Sequence, residues 1–216
     1  MRRFLWPFAL LLCGCAVLFG WNIHAPGMLS NQFYQSVSPA PARIALYLPP
    51  EVLSYRSLNR GGRFADPQTY YIGEALGPMA IEAFQQGFEE FIFLETEPDA
   101  ALMARYGIAY VAVLHIRNFK NNVTMKGQAV ELETETRLYD QSLRPAMTRR
   151  QSLASGPEAL GLRPAMLFKS TGSSDARKVF SKKGGPEVNL NAAIENNLTT
   201  VVQSLQDWLR EHPAHL

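Results

Sequence analysis

Apolar and polar positions alternate through RIALYLPP, Arg43 to Pro50, until two prolines stop the pattern, which predicts the first strand of the folded body. The next stretch, EVLSYRSLNRGGRFADPQTYY, holds Gly61-Gly62 and three arginines and reads as a loop, or a short strand and a loop. Ile72, Leu76, Met79, Ala80, Ala83, Phe84, Gly87 and Phe88 then recur at steps of three and four, the spacing of an amphipathic helix. Pro78 lies inside that pattern, where it either kinks the helix or marks its true first turn. FIFLET, Phe91 to Thr96, predicts a strand, and PDAALMARYG a short helix with Asp99 at its start and Gly107 as its stop.

The second half is read in the same way. IAYVAVLHIRNF, Ile108 to Phe119, is apolar on both faces and predicts a central strand, with Lys120 to Val123 as a turn. A long strand follows to Asp140. Val130, Leu132, Thr134, Thr136 and Leu138 face inward there, and Glu131, Glu133, Glu135 and Arg137 face out. QSLRP turns the chain, and Ala146 to Ser155 is expected to return as another strand. Asn189 to Trp208 carries one apolar stripe of Leu190, Ile194, Leu198, Val201, Leu205 and Trp208, the longest helix. These elements predict an α/β (α+β) fold: a mixed, mostly antiparallel sheet with packed helices, in a two- or three-layer sandwich. One domain over 43–216 suits the length.

The N-terminus has a different character. Met1-Arg2-Arg3 is positive, FLWPFALLL is an apolar core of secretory length, and Leu12-Cys13-Gly14-Cys15 resembles the lipobox of bacterial lipoproteins. On that reading residues 1–14 are a signal peptide and Cys15 carries the lipid. A Cys13–Cys15 disulfide would close too tight a loop, and two cysteines with an isolated His24 supply too few ligands for a metal. Two other readings stay open: an uncleaved anchor over Phe4 to Trp21, which is just long enough to span a bilayer, and a plain secretory signal. Each exports the body. Ala16 to Ala42 lacks sustained periodicity and ends in a Pro/Ala/Ser stretch. Residues 15–42 are therefore expected to be the lipidated N-terminus and a tether.

Composition narrows the function classes. The chain has 216 residues, 47% apolar and 19% charged. Without Arg2 and Arg3 the acidic and basic residues balance, so nothing drives the body toward nucleic acid. Glu131, Glu133 and Glu135 lie about 6.6 Å apart on one strand face, too wide for direct chelation of one ion by all three; a solvated face is expected. His115 reads as a core or edge histidine. Ser152, Ser170 and Ser181 have no nucleophile-elbow context. With C-x-x-C, H-E-x-x-H, Walker A and G-x-G-x-x-G all missing, no cofactor or metal is expected. SKKGGPEVN and RSLNRGGRF are basic, glycine-containing loops. Arg56, Arg60, Arg63, Lys182 and Lys183 would form one cationic patch for an anion or an acidic partner if the fold joins them.

The lipobox, the Pro-rich stretch, and YYIGEALGPMAIEAFQQGFEEFIFLET followed by YGIAYVAVLHI resemble a loose group of Gram-negative periplasmic lipoproteins. The group includes the penicillin-binding-protein activator lipoproteins, the curli-secretion lipoprotein and the N-terminal domain of the Tol-Pal β-propeller protein. The resemblance implies a non-enzymatic structural or adaptor role in envelope assembly, tethered to the outer membrane and docking an envelope protein. For the cationic loops the natural periplasmic partners are acidic: peptidoglycan carboxylates, lipid phosphates or an acidic protein surface. Ala16, where an Asp commonly signals inner-membrane retention, implies the periplasmic face of the outer membrane. VFSKKGGPEVNLN departs from the group. The rival expectation is an exported enzyme, or a binder of small ligands or glycans, that uses the basic loops.

Overall fold

The computed structural model describes residues 20–61, 66–124, 127–140, 164–173 and 185–211. The elements are β1 (Trp21–Ile23), α1 (Asn31–Ser36), β2 (Ala40–Tyr47), α2 (Pro50–Leu53), β3 (Ser57–Asn59), β4 (Gln68–Tyr70), α3 (Ile72–Gly87), β5 (Phe88–Leu94), α4 (Ala100–Arg105), β6 (Tyr110–Thr124), β7 (Gly127–Asp140), β8 (Pro164–Ser173) and α5 (Pro186–Glu211). The main sheet has the order β5-β2-β6-β7-β8. Its first three strands are parallel, and β6, β7 and β8 continue as an antiparallel meander. A small sheet, β1-β4-β3, stands beside it.

Alternation along β2 and β6 divides the core. Ile44, Leu46, Ala112 and Leu114 face α3 and α5 in the larger cluster, while Ala45, Val111 and Val113 face Met103 of α4 in a smaller one. The fold is thus an α/β sandwich whose second face α4 covers only in part. The buried residues of α3 and α5 follow the expected stripes, from Ile72 to Gly87 and from Leu190 to Leu209. Pro78 sits within α3 without ending it. Both Pro78 and Glu74, whose carbonyl it leaves unpaired, lie on the exposed side, where water can satisfy that oxygen. α4 keeps its expected limits: the Asp99 carboxylate accepts from the Leu102 amide at 2.7 Å, and Gly107 takes φ +59°.

Four expectations need correction. Residues 20–42 are no tether. Ile23, Leu29, Phe33 and Val37 are buried, and β2, which pairs with β5, begins at Ala40. Polar residues bordering the buried stripe of α5 fasten this segment. Asn191 bonds the Gly27 amide at 3.0 Å and the Met28 carbonyl at 2.8 Å, Glu195 accepts from Ser30 at 2.6 Å, and Gln206 donates to Ser38 at 2.8 Å. The first strand is accordingly β1, and β2 is the second.

Lys120 to Val123 forms no turn, because cross-strand pairing carries β6 through it to Thr124, with Lys120 opposite Glu131. The glutamate face is not uniformly solvated either: Glu135 is 3% exposed. The expected strand from Ala146 to Ser155 lies outside the described residues; the partner that pairs with the outer side of β7 is β8.

Candidate functional site

Beyond α4 the second face of the sheet opens into a cleft of about 390 Å³ at the carboxyl end of β2. Crevices at the carboxyl ends of parallel strands are where open α/β sheets place ligands. Tyr47 ends β2, and Pro49 and Pro50 turn the chain at once into α2, bringing Glu51 to the rim. Glu97 and Pro98, between β5 and α4, form the facing rim. The floor is set by register: Tyr47 pairs with Val113, Val113 with Arg137, Val111 with Tyr139, and His115 with Glu135.

The charges on this floor are locked together. Glu135 accepts from Arg137 Nε at 2.6 Å and also pairs with Arg117. Burial alone would raise its pKa, but the hydrogen bonds from the two arginines outweigh burial and hold it below the usual carboxylate range. Arg117 reaches this position from a β-bulge. Ile116 and Phe119 both pack on the main core although three residues apart, and the register shift between Ile116 and Asn118 permits it.

His115 Nδ1 stands 4.0 Å from Glu51 Oε1, and its side chain is 28% exposed. Burial, then the Arg137 charge, lowers its pKa, while Glu51 and Glu135 pull weakly the other way. It is neutral at pH 7 and can both donate and accept a hydrogen bond. The Tyr47 hydroxyl is held protonated, by burial first and then by Glu97 and Glu51. The cleft therefore offers aromatic and prolyl walls, neutral hydrogen-bonding groups and a rim of two carboxylates. Such a lining has the chemistry to accept a chain segment that carries a basic or amide group.

Among the residues expected to bind, Arg56 and Arg60 are exposed on either side of β3 and do not line this cleft. Cys15, Arg63, Lys182 and Lys183 lie outside the described residues. His24, isolated in sequence, bonds Glu74 at 2.8 Å and stacks on Tyr71. Tyr47, Glu51, Glu97 and Tyr139 carry no motif, so only the register and the β2–α2 corner reveal them as one site. The outward position of Arg137 and Glu135 was the one legible signal. Among the described residues no His/Cys/Asp/Glu group is placed to hold a metal ion, and no helix is long and apolar enough to cross a membrane.

No protein-family model matches the sequence, and no curated protein matches it. In structure the chain is similar to the hypothetical protein CT253 of Chlamydia trachomatis, at 7% identity over 80% of this chain and 100% of that one, with a TM-score of 0.46. It is also similar to the PelC L103M dodecamer of Paraburkholderia phytofirmans, at 11% identity, 78% and 91% coverage and a TM-score of 0.40. A third likeness is to the lipoprotein GNA1162 of Neisseria meningitidis, at 8% identity, 79% and 99% coverage and a TM-score of 0.34. Likeness at this level assigns no function.

Proposed function

We propose that the chain is an exported bacterial lipoprotein, anchored in the cell envelope through Cys15, that acts as a non-enzymatic adaptor. Its cleft between Tyr47, His115 and Tyr139 holds a segment of an envelope protein or of peptidoglycan. The observation that carries this reading is the chemistry of the cleft. Its buried acid is neutralised by two arginines of its own, and what remains toward solvent is suited to grip rather than to transfer protons or groups. The leader and the resemblance to periplasmic lipoproteins support export, lipidation and an outer-membrane address.

The test has two parts. Cys15→Ser should abolish incorporation of a fatty-acid analogue and leave the precursor uncut; labelling unchanged by the substitution contradicts the lipid anchor. Photo-cross-linking from position 47 in growing cells should trap one defined partner, and His115→Ala with Tyr139→Ala should remove it. Capture that survives both substitutions places the partner elsewhere.

A further inference from the structure

The small sheet begins almost where the anchor ends. Trp21 is already in a ladder: its amide donates to the Pro67 carbonyl at 2.8 Å and it pairs with Gln68. Five residues separate it from Cys15, and the six Cα–Cα steps span no more than about 20 Å fully extended. A chain anchored at Cys15 keeps this end of the sheet within that distance of the bilayer, so the body cannot turn freely away.

That end presents large apolar side chains to solvent. Trp21 is 61% and Leu58 62% exposed, whereas Ile23 and Tyr70 of the same sheet are buried. Leu58 pairs with Thr69, one position from the Trp21–Gln68 pair, so β1 and β3 present the two across about 10 Å of sheet. By alternation they point to opposite faces, as side chains do on an element that enters a surface end-on. Exposed Arg60 follows immediately, in a turn where Gly61 has φ +78° and donates to Asn59 Oδ1 at 3.0 Å.

The tip is also held rigidly. Asn59 donates to the Asn121 carbonyl at 3.3 Å, Asn121 to Gln68 at 3.0 Å, and buried Gln128 bonds both Asn121 and the Tyr70 hydroxyl. These bonds join it to the far end of the β6–β7 hairpin. Indole rings favour the membrane–water interface, and arginine pairs with the phosphates of anionic lipids.

We propose that this end of the small sheet docks on the bilayer, with Trp21 and Leu58 entering the headgroup region and Arg60 pairing with lipid phosphate. The inference rests on the membrane-anchored reading above and adds an orientation to it. β6 then runs toward the membrane. The cleft beside His115, six residues or about 20 Å back from Asn121 along β6, stays clear of the lipid, and the carboxyl end of α5, beside Tyr110, points away.

Full-length protein with Trp6→Phe and Trp208→Phe, which leaves Trp21 as the sole indole, is purified and placed in vesicles of phosphatidylethanolamine with a minority of phosphatidylglycerol. Fatty-acid label on the same sample reports the anchor. Trp21 emission should shift to the blue and be roughly halved by lipids brominated near the headgroup, as for an interfacial indole. Leu58→Ser and Arg60→Glu should weaken the quenching at equal bound protein without moving the melting temperature. Labelled, vesicle-bound protein whose Trp21 emission is unchanged overturns the docking and leaves the anchor standing. Unlabelled protein with unchanged emission overturns both; quenching without label supports docking and removes the lipid. A cross-link from position 21 to a protein in cells, with no quenching on vesicles, assigns the tip to a protein partner and overturns the proposal.

Discussion

His115 and Glu135 face each other across one register position, and both make the fold sensitive to acid. Burial lowers the His115 pKa below its unfolded value of about 6.5. As pH falls past that value, the unfolded chain takes up a proton that the folded chain still refuses, and stability is lost. The Glu135 pKa is also lowered in the fold, so its contribution is complete above the ordinary carboxylate range and disappears as pH falls through the folded value. The two effects share a sign and occupy different windows. Between pH 7 and 5 the melting temperature should fall because of His115, and in His115→Gln this fall should flatten while the steeper loss below pH 4.5 remains. A wild-type melting temperature that is constant from pH 7 to 5 would contradict the partly buried, neutral histidine.

Among the elements, α5 has two tasks. Its apolar stripe closes the main core, with Leu198 and Leu205 both fully buried. Leu205→Ala should cost about 2–5 kcal/mol, as large-to-small core changes do, read as a shift in the urea midpoint; a shift within error would make the helix peripheral. Polar residues bordering that stripe, Asn191, Glu195 and Gln206, bind the segment from Gly27 to Ser38. Replacing Asn191 and Glu195 with Ala removes several bonds, each worth about 1 kcal/mol net, and leaves the apolar stripe intact. The double variant should remain folded but be cut by protease between Gly27 and Ser38, where the wild type resists. Equal resistance would mean that Phe33 and Val37 alone hold the segment.

At the scale of the whole molecule, the proposed anchor at Cys15 would set a polarity, because β1 begins at Trp21. Had residues 20–42 been a free tether, that anchor would have left any face able to meet the membrane. Because β1 lies in the fold, the small sheet and the β6–β7 hairpin end share one pole, joined through Asn59, Gln68 and Asn121. The carboxyl end of α5 lies at the other pole, where Trp208 packs edge-on against Tyr110 at the start of β6. On the proposed docking this placement would orient the cleft, whose lining comes from the end of β2 and the corner after it, from Glu97 and Pro98, and from β6 and β7.

The sequence by itself determined the regular half of this protein. Periodicity located α3 and α5, because a helix packed on a sheet must repeat its apolar face every three or four residues, and it separated the two faces of β7 because a strand alternates strictly. Asp99 and Gly107 bounded α4 through local backbone chemistry. Only the tertiary structure decided the rest. Leu29, Phe33 and Val37 recur at steps of four, but the run is only three positions long and α1 spans just Asn31–Ser36. Burial of these side chains and of Ile23 depends on α5, more than a hundred and fifty residues away, bonding the backbone around them. Lys120 to Val123 has turn-forming residues, yet the ladder to β7 outweighed that local preference. The cleft was hidden for the same reason. Tyr47, Glu51, Glu97, His115 and Arg137 come from separate elements, and the strand register and the Pro49-Pro50 corner that bring them together are long-range properties no local pattern encodes.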